Sequence, residues 1–381
     1  MDLWNDGLGS FSAVYESVKH FLIVSEEVTE DLDEILAMVQ EPLLDDILHT
    51  WFVDAKGLDR KAKEAQAKAR ILESFRSNMI YLTREEIYIL HECMLKHPLR
   101  SEELWVICDH LLERGWLFAF VAEKGPVKVI FPKPLQEMLT AMLNGNDDSY
   151  NMLFIQYVRM MLKSCLSLFG VIEKDRIARF VVQSLSLAAQ SDPSGKFMPE
   201  SSTDEVAASI GGILDNLLEA EDIGWCDKAY VIHKDLENRI QYRNILRQCR
   251  EREYFIPTGK QMDMYGAHLT DVSDHWYKSV EKCIRTLTGD PQDAKSLMSY
   301  ITMCVVEDNA DLGRVAEILR NSGIACPSKK TDTLMKSCGE WLYTAKRWCY
   351  RGMSPQELGK AKIGVSHAFL SGGKGSGAPL A

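Results

Sequence analysis

Apolar residues recur three and four positions apart in nearly every segment of this chain that is longer than ten residues. This spacing is the period of an α-helix that buries one of its faces. Glycines and prolines mostly fall between these segments. The pattern therefore predicts a mainly α protein.

The clearest apolar stripe lies between 332 and 351. Its members are Leu334, Cys338, Trp341, Leu342, Ala345, Trp348 and Cys349. The stripe predicts one helix on a core, with Trp348 buried. Arg347 and Arg351 are off the stripe, so we expect them to reach solvent or to bind the last carbonyls of the helix.

The joint after this helix carries stop and start signals. Gly352 suits a left-handed position just past a helix end. Ser354 and Glu357 are spaced as a capping box, with Pro355 at the first helical position. A second helix is predicted to follow.

The stretch from 83 to 143 departs from the all-helical pattern. "TREEIYILHECMLKH" and "SEELWVICDHLLERG" predict two helices, the second beginning at Ser101. "WLFAFVAEKGPVKVIFP" alternates like a β-hairpin that turns at 123 to 126, and "LQEMLTAMLNG" predicts another helix. Helices followed by a two-stranded wing indicate a small winged-helix-like module.

Three regions are predicted along the chain. Residues 1–145 comprise an acidic N-terminal segment, small helices and the winged-helix-like module. A helical domain covers 146–370, with a loop at 190–205, and 371–381 form a disordered tail rich in glycine.

Charge and cysteine usage narrow the class of protein. The first 50 residues hold twelve acidic side chains and one basic one, whereas the rest of the chain is neutral. Ten cysteines with no C-x-x-C pair, and no apolar leader, predict a cytoplasmic protein with reduced thiols. Arg159 and Lys163 interrupt the most apolar run, which favours a buried helix over a membrane span.

Three segments resemble parts of uncharacterised bacterial proteins of the Rho-termination-factor N-terminal-like and SEC-C-associated group. They are "PLLDDILHTWFVDAKGL", which resembles a Rho-N or SAP-type unit, the stretch from "LTREE" to "VIFP", and "AKRWCYRGMSPQEL". The cysteine cluster of a SEC-C motif is absent after Leu358. The resemblance implies a helix at 55–76 that faces phosphates.

Two sets of basic residues are candidate binding residues. In 55–76, Lys61, Lys68 and Arg70 are among seven bases that could contact phosphates; the alternative is a solvated, lysine-rich helix. The second set is Arg239, Arg243, Arg247 and Arg250, which are spaced to share one helix face. They suit an acidic partner or phosphates, but Glu237, Glu251 and Glu253 leave an internal salt-bridge network open.

No chemical signature accompanies these residues. The cluster of His91, Cys93, His97, Cys108 and His110 lacks a chelating cysteine pair, so no metal site is predicted. G-x-S-x-G and a glycine-rich phosphate loop are missing, and no cofactor is predicted. The helix at 102–114 is acidic and would be repelled by DNA.

The sequence therefore predicts a non-enzymatic, regulatory interaction protein with a protein partner and no membrane association. A nucleic-acid-binding protein that uses 55–76 and the arginine row is one alternative, with the acidic N-terminal segment as an internal phosphate mimic. An enzyme with an unrecognised site is the other.

Overall fold

The computed structural model describes residues 19–97, 102–122, 127–191, 203–308, 310–324 and 329–359. The chain divides into two compact units, Met1–Gln156 and Tyr157–Ala381. The described residues form fifteen α-helices and two small three-stranded sheets, so the fold is mainly α. The predicted tail, Ser101 and most of the loop at 190–205 lie outside the described residues.

The first unit contains one sheet and six complete helices. The strands are β1 (Leu22–Val24), β2 (Phe118–Val121) and β3 (Lys128–Ile130). The helices are α1 (Leu32–Met38), α2 (Glu41–Thr50), α3 (Arg60–Asn78), α4 (Arg84–Met94), α5 (Glu102–Glu113) and α6 (Lys133–Asn144). Helix α3 carries Ile71 and Phe75 into the centre of the core, where Trp116 packs edge-on against Phe75.

The two strands predicted as a hairpin pair antiparallel, with Ala119 opposite Val129. The predicted turn at 123 to 126 lies outside the described residues. A third strand, β1, pairs parallel to β2 and places Leu22 opposite Ala119. It comes from the acidic N-terminal segment, where three apolar residues alone do not identify a strand.

The predicted helix at 55–76 begins later than expected. Gly57 has a φ of +79°, and Asp59 accepts a hydrogen bond from the Ala62 amide as the N-cap, so α3 starts at Arg60. The segment before it is a turn, because a left-handed residue interrupts helical backbone.

The second unit contains the other sheet and most of the remaining helices. Helix α7 (Asn146–Phe169) contains the boundary between the units, and the strands are β4 (Val171–Glu173), β5 (Gly224–Asp227) and β6 (Tyr230–His233). The further helices are α8 (Lys174–Ser191), α9 (Thr203–Ala220), α10 (Arg239–Gln248), α11 (Gly259–Ala267), α12 (His275–Thr288), α13 (Pro291–Val306), α14 (Leu312–Asn321) and α15 (Lys329–Thr344). The sheet is antiparallel with β6 in the middle.

Helix α7 is long and apolar enough to cross a membrane by length and composition, over Tyr150–Phe169. In the fold, 61% of that window is buried. Of the two cations in its interior, Arg159 is buried and forms an ion pair with Glu221, which also pairs with Lys163 at 3.0 Å. Burial of the charged side chain is thus compensated by a partner of opposite charge.

The predicted helix at 332–351 is wrong at its end. Helix α15 stops at Thr344, and Trp348–Tyr350 form a separate 3₁₀ turn. Trp348 is buried as predicted, at 1% exposure. Arg347 is also buried, at 5% exposure, so of the two expected alternatives it follows the second: it does not reach solvent but donates to the Leu342 carbonyl near the end of α15.

The joint itself follows the predicted signals in part. Gly352 has a φ of +76°, and Ser354 and Glu357 exchange the reciprocal hydrogen bonds of a capping box. The predicted helix after Ser354 does not form among the described residues, where 355–359 are consecutive turns and Gly359 has a φ of +64°.

Candidate functional site

The predicted arginine row lies on the exposed face of α10 and just beyond its end. Asn238 begins this helix with a capping box, because its side chain accepts from the Gln241 amide while Gln241 bonds back to the Asn238 amide. We define the arginine surface by its exposed side chains. They are Arg239, Ile240, Arg243, Asn244, Arg247 and Arg250.

The opposite face of α10 anchors the helix to the core of the second unit. Tyr242 and Ile245 are buried among Val171, Ile232 and other apolar residues. The Tyr242 hydroxyl donates to the Asp227 carboxylate, and its ring packs edge-on against Trp225 with 5.7 Å between centroids. The arginines therefore project from a helix whose position is held by packing.

One carboxylate lies beside the first arginine. Asp227 Oδ2 is 3.5 Å from Arg239 Nε. The hydrogen bond from Tyr242 and the charges of Arg239 and Arg243 lower the pKa of Asp227, so it is ionised at neutral pH. The negative charge of Asp227 therefore balances the charge of Arg239. The other three arginines of the row lie further along the chain.

The remaining arginines make few bonds inside the molecule. Arg243 lies over the Tyr242 ring at 5.9 Å, and Arg247 donates to Asn244 at 3.4 Å. In the described parts of the chain, no ion pair joins the arginine row to Glu237, Glu251 or Glu253. An internal salt-bridge network with these glutamates was one alternative from the sequence, and it does not form among the described residues.

The basic residues of α3 have a different arrangement. Lys68 Nζ is 2.5 Å from Asp33, and Arg70 Nη1 is 2.8 Å from Glu73. Lys63 is buried, and its Nζ lies 2.7 Å from a carboxylate oxygen of both Glu41 and Asp45 on α2. Most of these cations are thus used within the first unit.

Arg60 and Lys61, at the start of α3, differ in their ion pairing. Arg60 is 2.5 Å from Glu64 and donates at 2.6 Å to the carbonyls of Leu36 and Val39 at the end of α1. Lys61 is exposed and forms no ion pair among the described residues. Of the three bases predicted here as binding residues, only Lys61 is unpaired.

A residue that sequence reasoning missed is Phe52, after the end of α2. Its φ is +55°, a left-handed conformation that is strained for a side chain of this size, and its side chain is 96% exposed. The Phe52 amide binds His49 O and the Val53 amide binds Leu48 O, which is the Schellman pattern. Glycine is the usual residue at that position.

The turn around Phe52 is anchored by its neighbour. Trp51 stacks on Trp116 with 6.0 Å between ring centroids and donates to the Arg114 carbonyl at 3.1 Å. A cleft of about 660 Å³ adjoins the turn, lined among others by Asp54 and Lys56. An exposed aromatic side chain on a rigid, strained turn is a feature of contact surfaces.

Replacing Phe52 with glycine should leave the free energy of unfolding unchanged or raise it by up to about 1 kcal/mol, because glycine removes the left-handed strain. Urea midpoints measure this. Phe52→Ala is the matched control, since alanine keeps the strain and should not be more stable than the wild type. A loss of more than about 1 kcal/mol for Phe52→Gly would mean that the ring packs against the unit.

The described residues offer little nucleophilic or metal chemistry. Burial raises the pKa of Cys93 to about 12 and also raises the pKa values of Cys108, Cys165 and Cys349, so these thiols are protonated at neutral pH. Across the described ranges, no three His, Cys, Asp or Glu side chains are placed to hold one metal ion. His97 Nδ1 lies 3.1 Å from Glu92 instead.

Comparison with known proteins found no family model, no curated protein and no solved structure that matches this chain. The two surfaces described above are the candidate functional sites of the chain. The arginine surface carries the larger set of unpaired charged groups, so it is the primary candidate, and the Phe52 turn is the secondary one.

Proposed function

We propose that this chain is a non-enzymatic, cytoplasmic interaction protein that binds an acidic segment of a partner protein through the arginine surface. The observation that carries the proposal is the exposure of Arg243, Arg247 and Arg250 without an ion pair in the described residues, on a helix held by its buried face. Guanidinium groups spaced along a helix bind carboxylates with strong, charge-assisted hydrogen bonds.

The local charge balance favours a protein over nucleic acid. Between 235 and 253 there are five arginines and four carboxylates, a net charge of +1. A nucleic-acid backbone would contact these acids as well as the arginines, and the acids would repel its phosphates. A short acidic peptide contacts only the arginine row. Ile240 is 73% exposed within the surface and supplies the apolar contact that protein interfaces use beside arginine.

The charge of the first unit supports the same choice. Residues 1–156 hold 27 acidic and 15 basic side chains, a net charge of −12. This charge repels phosphates at the surface of the first unit, which argues against nucleic-acid binding by the bases of α3. The paired bases of α3 fit this interpretation, because they neutralise acids of the same unit.

The order α4, α5, β2 and β3 supports the winged-helix-like interpretation of this module, to which β1 adds a parallel strand. The helix that would enter a DNA groove is α5, and its acids oppose that use. We assign the module to protein binding, with the exposed Phe52 turn as a second contact of the same unit.

Reversing two charges on the arginine surface, Arg243→Glu with Arg247→Glu, should change the free energy of unfolding by less than about 1 kcal/mol, because both side chains are exposed. Urea unfolding followed by circular dichroism measures this. Lys282→Glu with Arg320→Glu reverses two exposed charges elsewhere in the unit and is the control. A much larger loss in the first variant alone would show that the row holds the fold together.

The nucleic-acid alternative is tested by fluorescence anisotropy with a labelled 20-base-pair DNA and a single strand of equal length. The proposal predicts weak binding that the Arg243→Glu/Arg247→Glu variant shares. Tight binding with a steep dependence of log affinity on log salt, lost in that variant, would contradict it, because counterion release is the signature of phosphate contacts.

A further inference from the structure

A second concave site lies in the helical part of the second unit, on different elements from the arginine surface. It is a cleft of about 550 Å³ between the segment 267–272, helix α12 and helix α13. Ligand sites for small molecules fall between about 300 and 1,000 Å³. The cleft is therefore large enough for a small organic ligand.

Apolar side chains from all three elements line part of the cleft. They are Leu269, Val272, Ala294 and Met298, together with the ring of Tyr277. Ala294 and Met298 are buried, and Tyr277 packs edge-on against Trp341 with 5.5 Å between centroids. This lining suits the apolar body of a ligand.

Two threonines of the lining differ in their hydrogen bonds. Thr302 is buried, and its hydroxyl donates to the Met298 carbonyl at 2.8 Å. Thr270 is 4% exposed, yet its hydroxyl has no hydrogen-bond partner among the described residues. The Tyr277 hydroxyl, on the same lining, also lacks one. Neither oxygen is fully buried, so both hydroxyls can donate to a ligand that enters the cleft.

The charged groups of the cleft are predominantly cationic. Lys295 is exposed and forms no ion pair in the described parts of the chain. Arg285 Nη2 is 3.0 Å from Glu281, so this arginine and the lining carboxylate balance each other. His268 also lines the cleft. A net positive charge next to unpaired hydroxyls suits an anionic group.

We propose that this cleft binds an amphipathic organic anion, in which an apolar body contacts the Met298 side of the lining and a carboxylate is bound by Lys295 and the hydroxyls of Thr270 and Tyr277. Such a site is independent of the arginine surface. Binding there would add small-molecule responsiveness to a protein that otherwise contacts macromolecules.

The test uses decanoate as the probe and isothermal titration calorimetry on the full chain. We expect saturable binding of one decanoate, and a loss of roughly tenfold or more in affinity for Lys295→Glu, the factor that one charge-assisted hydrogen bond supplies. Thr270→Val, which keeps the shape of the side chain, should weaken binding several-fold. Ala294→Trp should abolish it by filling the cleft.

Lys282→Glu is the matched control, because Lys282 is an exposed lysine of α12 outside the lining of the cleft. It should bind decanoate like the wild type. Wild-type protein that gives no binding heat, or equal affinity for the wild type and Lys295→Glu, would overturn the proposal. If Ala294→Trp does not fold, the other two variants still test the proposal. Lys295→Glu changes an exposed side chain, and Thr270→Val keeps the side-chain volume, so both should fold.

Discussion

Replacing Trp348 with alanine is expected to lower the free energy of unfolding of the second unit by about 3 to 5 kcal/mol. The ring is 1% exposed, and its Nε1 donates to the Ser167 carbonyl at 2.8 Å. It also lies against Gly170, where an added Cβ would be 2.3 Å from the ring. Alanine would leave a cavity and an unpaired carbonyl, because this tight packing cannot close around a methyl group.

Denaturant midpoints from circular dichroism measure this loss. Tyr300→Ala is the control, because Tyr300 is a large aromatic residue that is 51% exposed, and it should cost far less. Trp348→Phe should lie between the two, since it keeps much of the buried volume but not the bond to Ser167. A loss below about 1 kcal/mol for Trp348→Ala would contradict the structural role of this residue.

Replacing Arg347 with alanine is expected to cost about 3 kcal/mol, in the range for breaking a buried ion pair by removing one partner. Arg347 pairs with Asp308 and donates to the Leu342 carbonyl at 2.8 Å. The Cys349 thiol donates to the same carboxylate at 3.2 Å. Without the guanidinium, the half-buried Asp308 side chain loses its ion-pair partner, and among the described residues the Cys349 thiol is its remaining side-chain donor.

A double-mutant cycle measures the interaction between Arg347 and Asp308. Asp308 has a φ of +64°, so asparagine, which tolerates the left-handed region, is the suitable neutral replacement. Arg347→Met with Asp308→Asn should be more stable than Arg347→Met alone, because it removes the uncompensated charge. Arg320→Ala, an exposed arginine, should be close to neutral. Equal stability of the single and double variants would contradict the buried pair.

The stretch around Trp348 shows which parts of the fold follow from sequence. Burial of Trp348, the left-handed Gly352 and the bonds between Ser354 and Glu357 are local or periodic features, and they were predicted. The end of α15 at Thr344 was not predicted, because the apolar stripe continues past this residue. The Trp348 side chain donates to the carbonyl of Ser167, which is 181 positions away in the sequence. No local sequence pattern predicts this bond or the 3₁₀ turn that it accompanies.

Pairing of charges shows the same limit. Arg243 and Arg247 share the exposed face that their four-residue spacing predicts. The partners of Lys63 and Lys68 could not be predicted, since Glu41 and Asp33 lie 22 and 35 positions away. From the sequence alone the α3 cations are therefore candidate phosphate ligands, whereas the structure pairs Lys63 and Lys68 with acids of the same unit.

Phe52 and strand β1 were missed for different reasons. A left-handed residue at a helix end is expected to be glycine, so phenylalanine at this position does not indicate the turn. The sequence signal that could have indicated it is an aromatic pair directly before a polar turn. Strand β1 is three residues long, and its parallel partner β2 is almost a hundred positions away in the sequence. Such pairing depends on tertiary structure rather than on local alternation.

The proposed binding of an acidic partner segment by the arginine surface can be tested on the full chain. Its most direct test is capture from a nuclease-treated native lysate by three immobilised forms of the full chain: wild type, Arg243→Glu/Arg247→Glu and the Lys282→Glu/Arg320→Glu control. Bound proteins are quantified by mass spectrometry. We predict that at least one protein with an acidic segment is retained by the wild type and the control and is lost from the arginine variant. The same set of proteins on all three forms would contradict the proposal.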